Sequence, residues 1–384
     1  MGLLDFVEAA KACANTVGTQ HQRVADCRKW EEFLLRFGVG SDRYLETFST
    51  LGRHTILGAF ASFIRKALYE GSQGKTVVIG TVKRAIGNVS QGFRTAGFPD
   101  PRLDVDGNLC VRLQQIYRGF ESSDPKKKHQ KAIPLKVLKV ALRLAKDSGD
   151  NFSLSIAHLA IGAYLFAMRS CEYTKTCFNE ESKRTNILRL KNIRFFIRRQ
   201  LIPHGDKRIF QADRVTITFE WQKNREQDES VSMHSCKQGH QHEFNPVFIW
   251  ALIVSRVQEY PGDDNVSERR VNTVYVGHQV REITSSQNRT KLRSAVAQIG
   301  EEQLGFTAEE IGCHSLRSGA AMAMKVAGVL EFTIMIIGRW KSLAFLDYIR
   351  KQVAEFLQCF CPHARAWRVF HHTKFHSRPS HSQI

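Results

Sequence analysis

The chain has 384 residues, and its 56 lysines and arginines outnumber its 37 aspartates and glutamates, which gives a formal net charge of +19. Hydrophobic residues make up 42% of the sequence, enough apolar material to form packed cores, so wholesale disorder is excluded. This length favours two compact domains over one. A pI near 9.7 is far above what solubility requires and predicts a polyanionic partner, with nucleic acid as the first candidate.

Two further features of the sequence argue against a membrane protein and a secreted protein. The sequence contains no apolar run of about 18 residues and no signal-peptide core near Met1, so we expect a soluble, intracellular protein. The nine cysteines lie at irregular spacing, which indicates free thiols in a reducing compartment and not a disulfide framework.

Apolar residues recur at helical spacing along the first third of the chain, from about Val24 to Tyr117. The pattern is interrupted where turn-forming residues cluster, at Gly38 to Ser41, Gly71 to Gly74 and Gly97 to Pro101. Short helices separated by such turns favour an antiparallel bundle. We therefore predict a helical N-terminal domain over about residues 1–130.

A charged segment, Asp124 to Pro134, follows the predicted bundle. It has a proline near each end and shows neither helical nor strand periodicity, so we interpret it as an interdomain linker. Its lysines have two interpretations. They could lie along a phosphate backbone, or they could be solvated without contacting a partner.

The rest of the chain mixes helical and strand patterns. Phe152 to Met168 has the pattern of an amphipathic helix, whereas Asn186 to Ile197 and Arg214 to Trp221 have the composition of strands. Helical spacing returns in four later segments: Phe244 to Tyr260, Arg289 to Ile299, His314 to Ala327, and Ser342 to Leu357. We predict an α+β fold, mostly α with a small antiparallel sheet, over residues 131–358, and a disordered basic tail over residues 359–384.

Three short motifs near the end of this second domain favour chemistry on a phosphate group. His314 and Arg317 form a His-x-x-Arg pair, whose spacing places both side chains on one face of a helix. A Gly-Arg-Trp motif ending at Trp340 and a Tyr-Ile-Arg motif beginning at Tyr348 follow. Cationic donors can hold the charge that develops on a reacting phosphate, and a tyrosine hydroxyl can attack it to form a covalent phosphotyrosine. Such chemistry requires no metal and no nucleotide cofactor.

These motifs resemble the C-terminal catalytic motif of the tyrosine recombinase (phage integrase) superfamily. In that family an arginine, a lysine, a His-x-x-Arg pair, a histidine or tryptophan, and a tyrosine occur in this order. The resemblance implies the following catalytic residues: Arg169, Lys223, His314, Arg317, Trp340 and Tyr348. It also implies that Glu172, three residues after the first arginine, supports Arg169.

The resemblance carries expectations for the whole protein. It implies a site-specific recombinase that cleaves and rejoins duplex DNA through a covalent 3′-phosphotyrosine, without a metal or cofactor. It implies a helical core-binding domain that precedes the catalytic domain and closes with it around DNA as a clamp. It further implies a homotetramer on two DNA sites.

One detail of the motif points to a subgroup. Trp340 lies eight residues before Tyr348, one fewer than is usual in bacterial and phage members. The Gly-Arg-Trp-x-Ser form resembles the recombinases of eukaryotic mobile elements, such as DIRS-like retrotransposons and Cryptons. This implies a nuclear enzyme if the host is eukaryotic, and a cytoplasmic one otherwise.

Two other functions stay open at this stage. A type IB topoisomerase has the same chemistry but relaxes supercoils without a second DNA site. A domesticated DNA-binding protein would have kept the clamp and lost recombination.

Individual residues also have competing interpretations. Lys325 and Lys341 compete with Lys223 for the role of general acid, because they lie closer in sequence to the other motif residues. Trp340 could be a core residue as well as a catalytic one. Four potential metal ligands, His234, Cys236, His240 and His242, match no zinc signature in their spacing, so we interpret them as part of a solvated loop.

Overall fold

The structure, a computed structural model, describes residues 17–40, 42–125, 130–176, 186–220, 228–236, 242–262, 265–342 and 346. The described residues divide into two compact units, one over residues 17–125 and one from residue 130 onward. Each unit has its own hydrophobic core. None of the helices in the described residues is both long and apolar enough to cross a membrane.

The first unit is helical. Its helices are α1 (Val17–Arg36), α2 (Thr50–Arg65), α3 (Ile79–Thr95) and α4 (Val111–Ser122). Buried aromatic rings form much of the core, and the Trp30 ring packs edge-on against Phe60 with the ring centroids 5.0 Å apart. The Ser49 side chain accepts a hydrogen bond from a backbone N–H in the first turn of α2, a favourable helix cap. The helical spacing in this part of the sequence is confirmed.

The second unit contains most of the secondary structure. Its helices are α5 (Leu135–Asp147), α6 (Asn151–Leu165), α7 (Ser170–Tyr173), α8 (Pro246–Gln258), α9 (Ser285–Ile299), α10 (Glu301–Leu304), α11 (Ser315–Val326) and α12 (Glu331–Gly338). Helix α6 is the centre of the unit, because α5, α8, α9 and α11 all pack against it. As a result, 11 of the 15 residues of α6 are buried.

Two antiparallel sheets complete the second unit. Strands β1 (Ile193–Ile197), β2 (Gln200–Ile202), β3 (Arg214–Phe219) and β4 (Glu229–His234) form one sheet in the order β2-β1-β3-β4. Strands β5 (Thr273–Val276) and β6 (Gln279–Glu282) form a separate hairpin. The predicted fold class, mostly α with a small antiparallel sheet, is confirmed.

Both ends of the predicted linker belong to packed structure. Asp124 forms an ion pair with Arg65 in the first unit. In the second unit, Ile133 is fully buried and its backbone N–H donates to the Ser315 carbonyl oxygen over 3.1 Å. Ala132 and Ile133 are therefore part of the core of the second unit, although the segment as a whole has a charged composition. Residues 126–129 lie outside the described residues.

Candidate active site

One cavity of about 380 Å³ lies in the second unit, and four of the six predicted catalytic residues line it. It is lined by Arg169, His314, Arg317 and Trp340, together with Ser318, Arg339, Lys341 and Ser342. No acidic side chain is among these described lining residues. The cavity therefore has the charge and the donors of an anion site.

The end of α6 places Arg169 at the cavity. Ala167 has a φ of 46°, the left-handed conformation that often follows a helix, and the Met168 N–H donates to the Ala163 carbonyl oxygen over 2.9 Å. This turn ends α6 and directs the chain into α7. Arg169 immediately precedes α7, so its side chain projects from a fixed corner of the backbone.

Glu172 holds Arg169 in place. Its carboxylate is 1% exposed and accepts from Arg169 twice: from the backbone N–H over 2.8 Å and from Nη1 over 3.0 Å. The Arg169 side chain is 15% exposed, and it lines the cavity. Glu172 thus lies where the resemblance predicts a residue that supports Arg169.

Arg317 joins the ends of two helices. Its guanidinium donates to the Ala167 carbonyl oxygen over 2.6 Å and to the Gly338 carbonyl oxygen at the end of α12. Carbonyl groups at helix C-termini carry partial negative charge and favour a cation there. Burial, and then the nearby Arg169 and Arg339, lower the pKa of Arg317 to about 9, so the group is still protonated at neutral pH.

Trp340 lies against Arg317 with its ring centroid 4.2 Å from the guanidinium carbon. Gly338 makes room for the indole, because a Cβ atom on Gly338 would lie 1.7 Å from Trp340 Cζ3. The ring also packs against the hydrophobic core of the unit. Trp340 is therefore partly buried against the core and also lines the cavity, and its catalytic role stays a prediction.

His314 lies at the N-terminal end of α11, one helical turn before Arg317. It is exposed, and its backbone N–H donates to Gln130 Oε1 over 3.0 Å. The Ser318 hydroxyl donates to the His314 carbonyl oxygen over 2.6 Å. The predicted sharing of one helix face by His314 and Arg317 is consistent with both of them lining the cavity.

Two predicted catalytic residues, Lys223 and Tyr348, lie outside the described residues. Described residues precede each of them. Strand β3 ends at Phe219, four residues before Lys223, and the Phe219 ring centroid lies 3.6 Å from the guanidinium carbon of Arg339, which lines the cavity. Ser342, six residues before Tyr348, lines the cavity.

Arg339 was missed by sequence reasoning, although it stands inside the Gly-Arg-Trp motif. Its side chain is fully buried, and its Nη2 donates to Glu172 Oε2 over 2.7 Å. The sequence did contain a signal for a buried ion pair. Arg339 is a charged residue directly after the apolar run of α12, and charged side chains are rarely buried without a partner of opposite charge.

The segment that contains His234, Cys236, His240 and His242, interpreted from sequence as a solvated loop, is described only in part. In the described part of the chain, no three histidine, cysteine or acidic side chains cluster in a way that could hold a metal ion. His234 ends β4 and is exposed, and His240 lies outside the described residues.

Comparisons with known proteins give a limited result. No family model and no curated protein matches the chain. Among solved structures, the chain is similar to the Tn1549 transposon integrase bound to transposon right-end DNA, at 10% identity and a TM-score of 0.42, over 86% of this chain and 99% of the integrase chain. The same integrase bound to a circular-intermediate DNA gives 10% identity and a TM-score of 0.41, over 84% and 94%. TM-scores below 0.5 assign no function, so a function has to come from the chain's own residues.

Proposed function

We propose that the chain is a DNA strand transferase of the tyrosine recombinase kind, which cleaves and rejoins duplex DNA through a phosphotyrosine at Tyr348. One observation carries the proposal. Arg169, His314, Arg317 and Trp340 were selected by motif order alone, yet they line one cavity although the first and last are 171 residues apart.

The lining residues suit a phosphodiester. Arg169 and Arg317 donate to the non-bridging oxygens and stabilise the charge that grows as the phosphorus becomes five-coordinate. Trp340 backs the Arg317 guanidinium and restricts its orientation. His314, at the rim, is within reach of the same phosphate as a donor or a proton acceptor.

The reaction balances without an external reagent. The Tyr348 hydroxyl gives its proton to His314 as its oxygen attacks phosphorus, and a 3′-phosphotyrosine forms. The bond from phosphorus to the 5′-oxygen breaks, and that oxygen takes a proton from Lys223. A 5′-hydroxyl from a partner strand then attacks the phosphotyrosine and releases the tyrosine. Exchange between two duplexes requires several active sites, so the proposal includes a homotetramer on two DNA sites. It also includes a mobile-element origin and, in a eukaryotic host, a nuclear location.

The test is covalent capture. Nicked duplexes that tile the DNA flanking the encoding gene are incubated with the protein in excess chelator, and denaturing gels report the protein–DNA adduct. The adduct is expected with the unaltered protein and is expected to disappear in Tyr348→Phe, which removes only the nucleophilic oxygen.

A matched control is Tyr275→Phe, on β5, which should leave the adduct intact. Adduct formation by Tyr348→Phe would assign the nucleophile to another residue. An adduct that forms only after zinc or magnesium is added would contradict the proposed chemistry, in which arginines hold the phosphate charge.

A further inference from the structure

Arg339 occupies a position where an arginine is energetically costly. Its φ is 55°, the left-handed conformation that glycine adopts most easily at a helix end. Its side chain is fully buried, and burial lowers the pKa of the guanidinium while nearby Glu172 raises it. A glycine would end α12 without either cost, so the side chain calls for an explanation beyond helix termination.

The Arg339 side chain contacts the residues that hold Arg169. Arg339 Nη2 donates to Glu172 Oε2 over 2.7 Å, while Arg169 Nη1 donates to Glu172 Oε1 over 3.0 Å. The Arg339 backbone carbonyl oxygen also accepts from Arg169 Nη2 over 3.3 Å. Arg169 is therefore fixed from two sides, and Arg339 contributes to both.

Arg169, Glu172 and Arg339 together do not have a net charge of zero. Glu172 is one carboxylate shared between two guanidiniums, those of Arg169 and Arg339. If Glu172 paired with Arg169 alone, the two charges would cancel at short range and less positive charge would reach an anion in the cavity. With Arg339 present, the three residues together carry one excess positive charge, and the neighbouring Arg317 adds another.

We propose that Arg339 is a positioning residue that supplies the second counter-ion of Glu172 and so keeps the positive charge of Arg169 available to an oxyanion in the cavity. For the reaction, this rests on the proposed function, since the oxyanion would then be the scissile phosphate. Arg339 acts through Glu172 and Arg169, because its own side chain is fully buried behind them.

Sulfate binding tests this step without requiring cleavage. Sulfate affinity is measured by calorimetry for the unaltered protein, Arg339→Gln, Glu172→Gln and the double variant. Arg339→Gln should weaken sulfate binding by about tenfold, the scale expected for one nearby charge. In the Glu172→Gln background the same change should cost less than about threefold, because the effect that acts through Glu172 is gone and only the direct attraction between sulfate and the buried Arg339 charge is lost.

Two further variants keep this test decisive. Arg269→Gln alters another buried arginine, which lies over the Tyr260 ring away from the cavity, and should leave sulfate affinity unchanged. Arg339→Lys keeps the charge and should bind sulfate within about threefold of the unaltered protein even if Arg339→Gln does not fold. Two results would overturn the proposal. One is an equal loss of sulfate affinity on Arg339→Gln with and without Glu172, and the other is an Arg339→Lys variant that binds sulfate as weakly as Arg339→Gln.

A cleavage assay then separates this proposal from the proposed function. Arg339→Gln should slow adduct formation on a normal phosphodiester far more than on a methylphosphonate, in which a methyl group replaces the charged non-bridging oxygen. A purely structural defect would slow both substrates equally and would overturn the role in the reaction. If sulfate binding behaves as expected but the unaltered protein cleaves no DNA, the positioning role stands and the proposed function fails.

Discussion

Gly338 shows how closely the cavity wall is packed at the level of single atoms. A methyl group at this position would overlap the Trp340 indole, whose nearest ring atom would lie 1.7 Å away. We predict that Gly338→Ala displaces the ring, lowers the free energy of unfolding by about 1–3 kcal/mol and slows adduct formation. Thermal unfolding and single-turnover cleavage would measure the two effects.

A matched substitution provides the control for Gly338→Ala. Gly119 lies in α4 with open space where a Cβ would be, so Gly119→Ala should raise stability slightly, as alanine favours helices. If Gly338→Ala were as harmless as Gly119→Ala, the close packing of Trp340 would not matter for the site.

The identity of the general acid is also decided at the residue level. Lys325 forms an ion pair with Glu331 over 2.7 Å on the surface, whereas Lys341 lines the cavity. We still predict Lys223, because β3 ends at Phe219, which contacts Arg339 at the cavity, and because the long side chain of a lysine suits delivery of a proton to the 5′-oxygen.

A sulfur substrate tests the assignment of the acid. A 5′-thiolate leaves without a proton, so Lys223→Ala should be slow on normal DNA and recover most of its rate when sulfur replaces the bridging 5′-oxygen. If the sulfur substrate restored the rate of Lys341→Ala and not that of Lys223→Ala, the general acid would be Lys341. The assignments of the other catalytic residues would be unaffected.

Residues whose partners are close in sequence were predictable, and those with distant partners were not. The His314–Arg317 and Arg169–Glu172 pairs are each three residues apart, so a helical turn suffices to bring them together. Arg339 could not be assigned in this way, because its carboxylate partner is 167 residues away. Only the three-dimensional structure shows that Glu172 forms ion pairs with both Arg169 and Arg339.

The length of a helix or strand decided whether it could be predicted from the sequence. Helices α6 and α11 were placed to within a few residues, since each has several turns of consistent pattern. Strands β5 and β6 have four residues each, and α12 has eight, most of them apolar. Such short elements give too few repeats for a period to be recognised, and none of the three was predicted.

The meeting of α6, α11 and α12 at Arg317 leads to a prediction about anions and pH. Sulfate in the cavity should offset the repulsion among the arginines, and at about ten times its dissociation constant it should add about 1.4 kcal/mol of stability. This corresponds to a rise in melting temperature of roughly 2–4 °C.

The pH dependence of this sulfate effect follows from Arg317. Because its pKa is lowered to about 9 in the folded state, the unfolded state holds the proton more tightly, and the charged group costs stability at neutral pH. The loss of folding stability caused by the charged Arg317 should become smaller as the pH rises above about 9, because the folded protein then releases the proton. The stability added by sulfate should become smaller over the same range. Arg317→Gln should lose most of the gain at pH 7, and an unchanged gain would remove Arg317 from the anion site.

At the scale of the whole molecule, the charge of +19 leads to a prediction about duplex DNA, the partner in the proposed function. Contacts to phosphates release counter-ions, so affinity for generic duplex should fall steeply with salt, with a log–log slope of several units. Fluorescence anisotropy between low and moderate salt would measure it. A flat dependence would show that the excess charge does not lie along DNA.

The long sequence separation between Glu172 and Arg339 has a consequence for protein synthesis. A growing chain carries Arg169 and Glu172 well before Arg339 leaves the ribosome, since 167 residues still have to be added. Until then the carboxylate has one cationic partner, and Arg317 lacks the carbonyl group of Gly338. A nascent chain therefore cannot complete this anion site before Arg339 has been synthesised and has folded against Glu172.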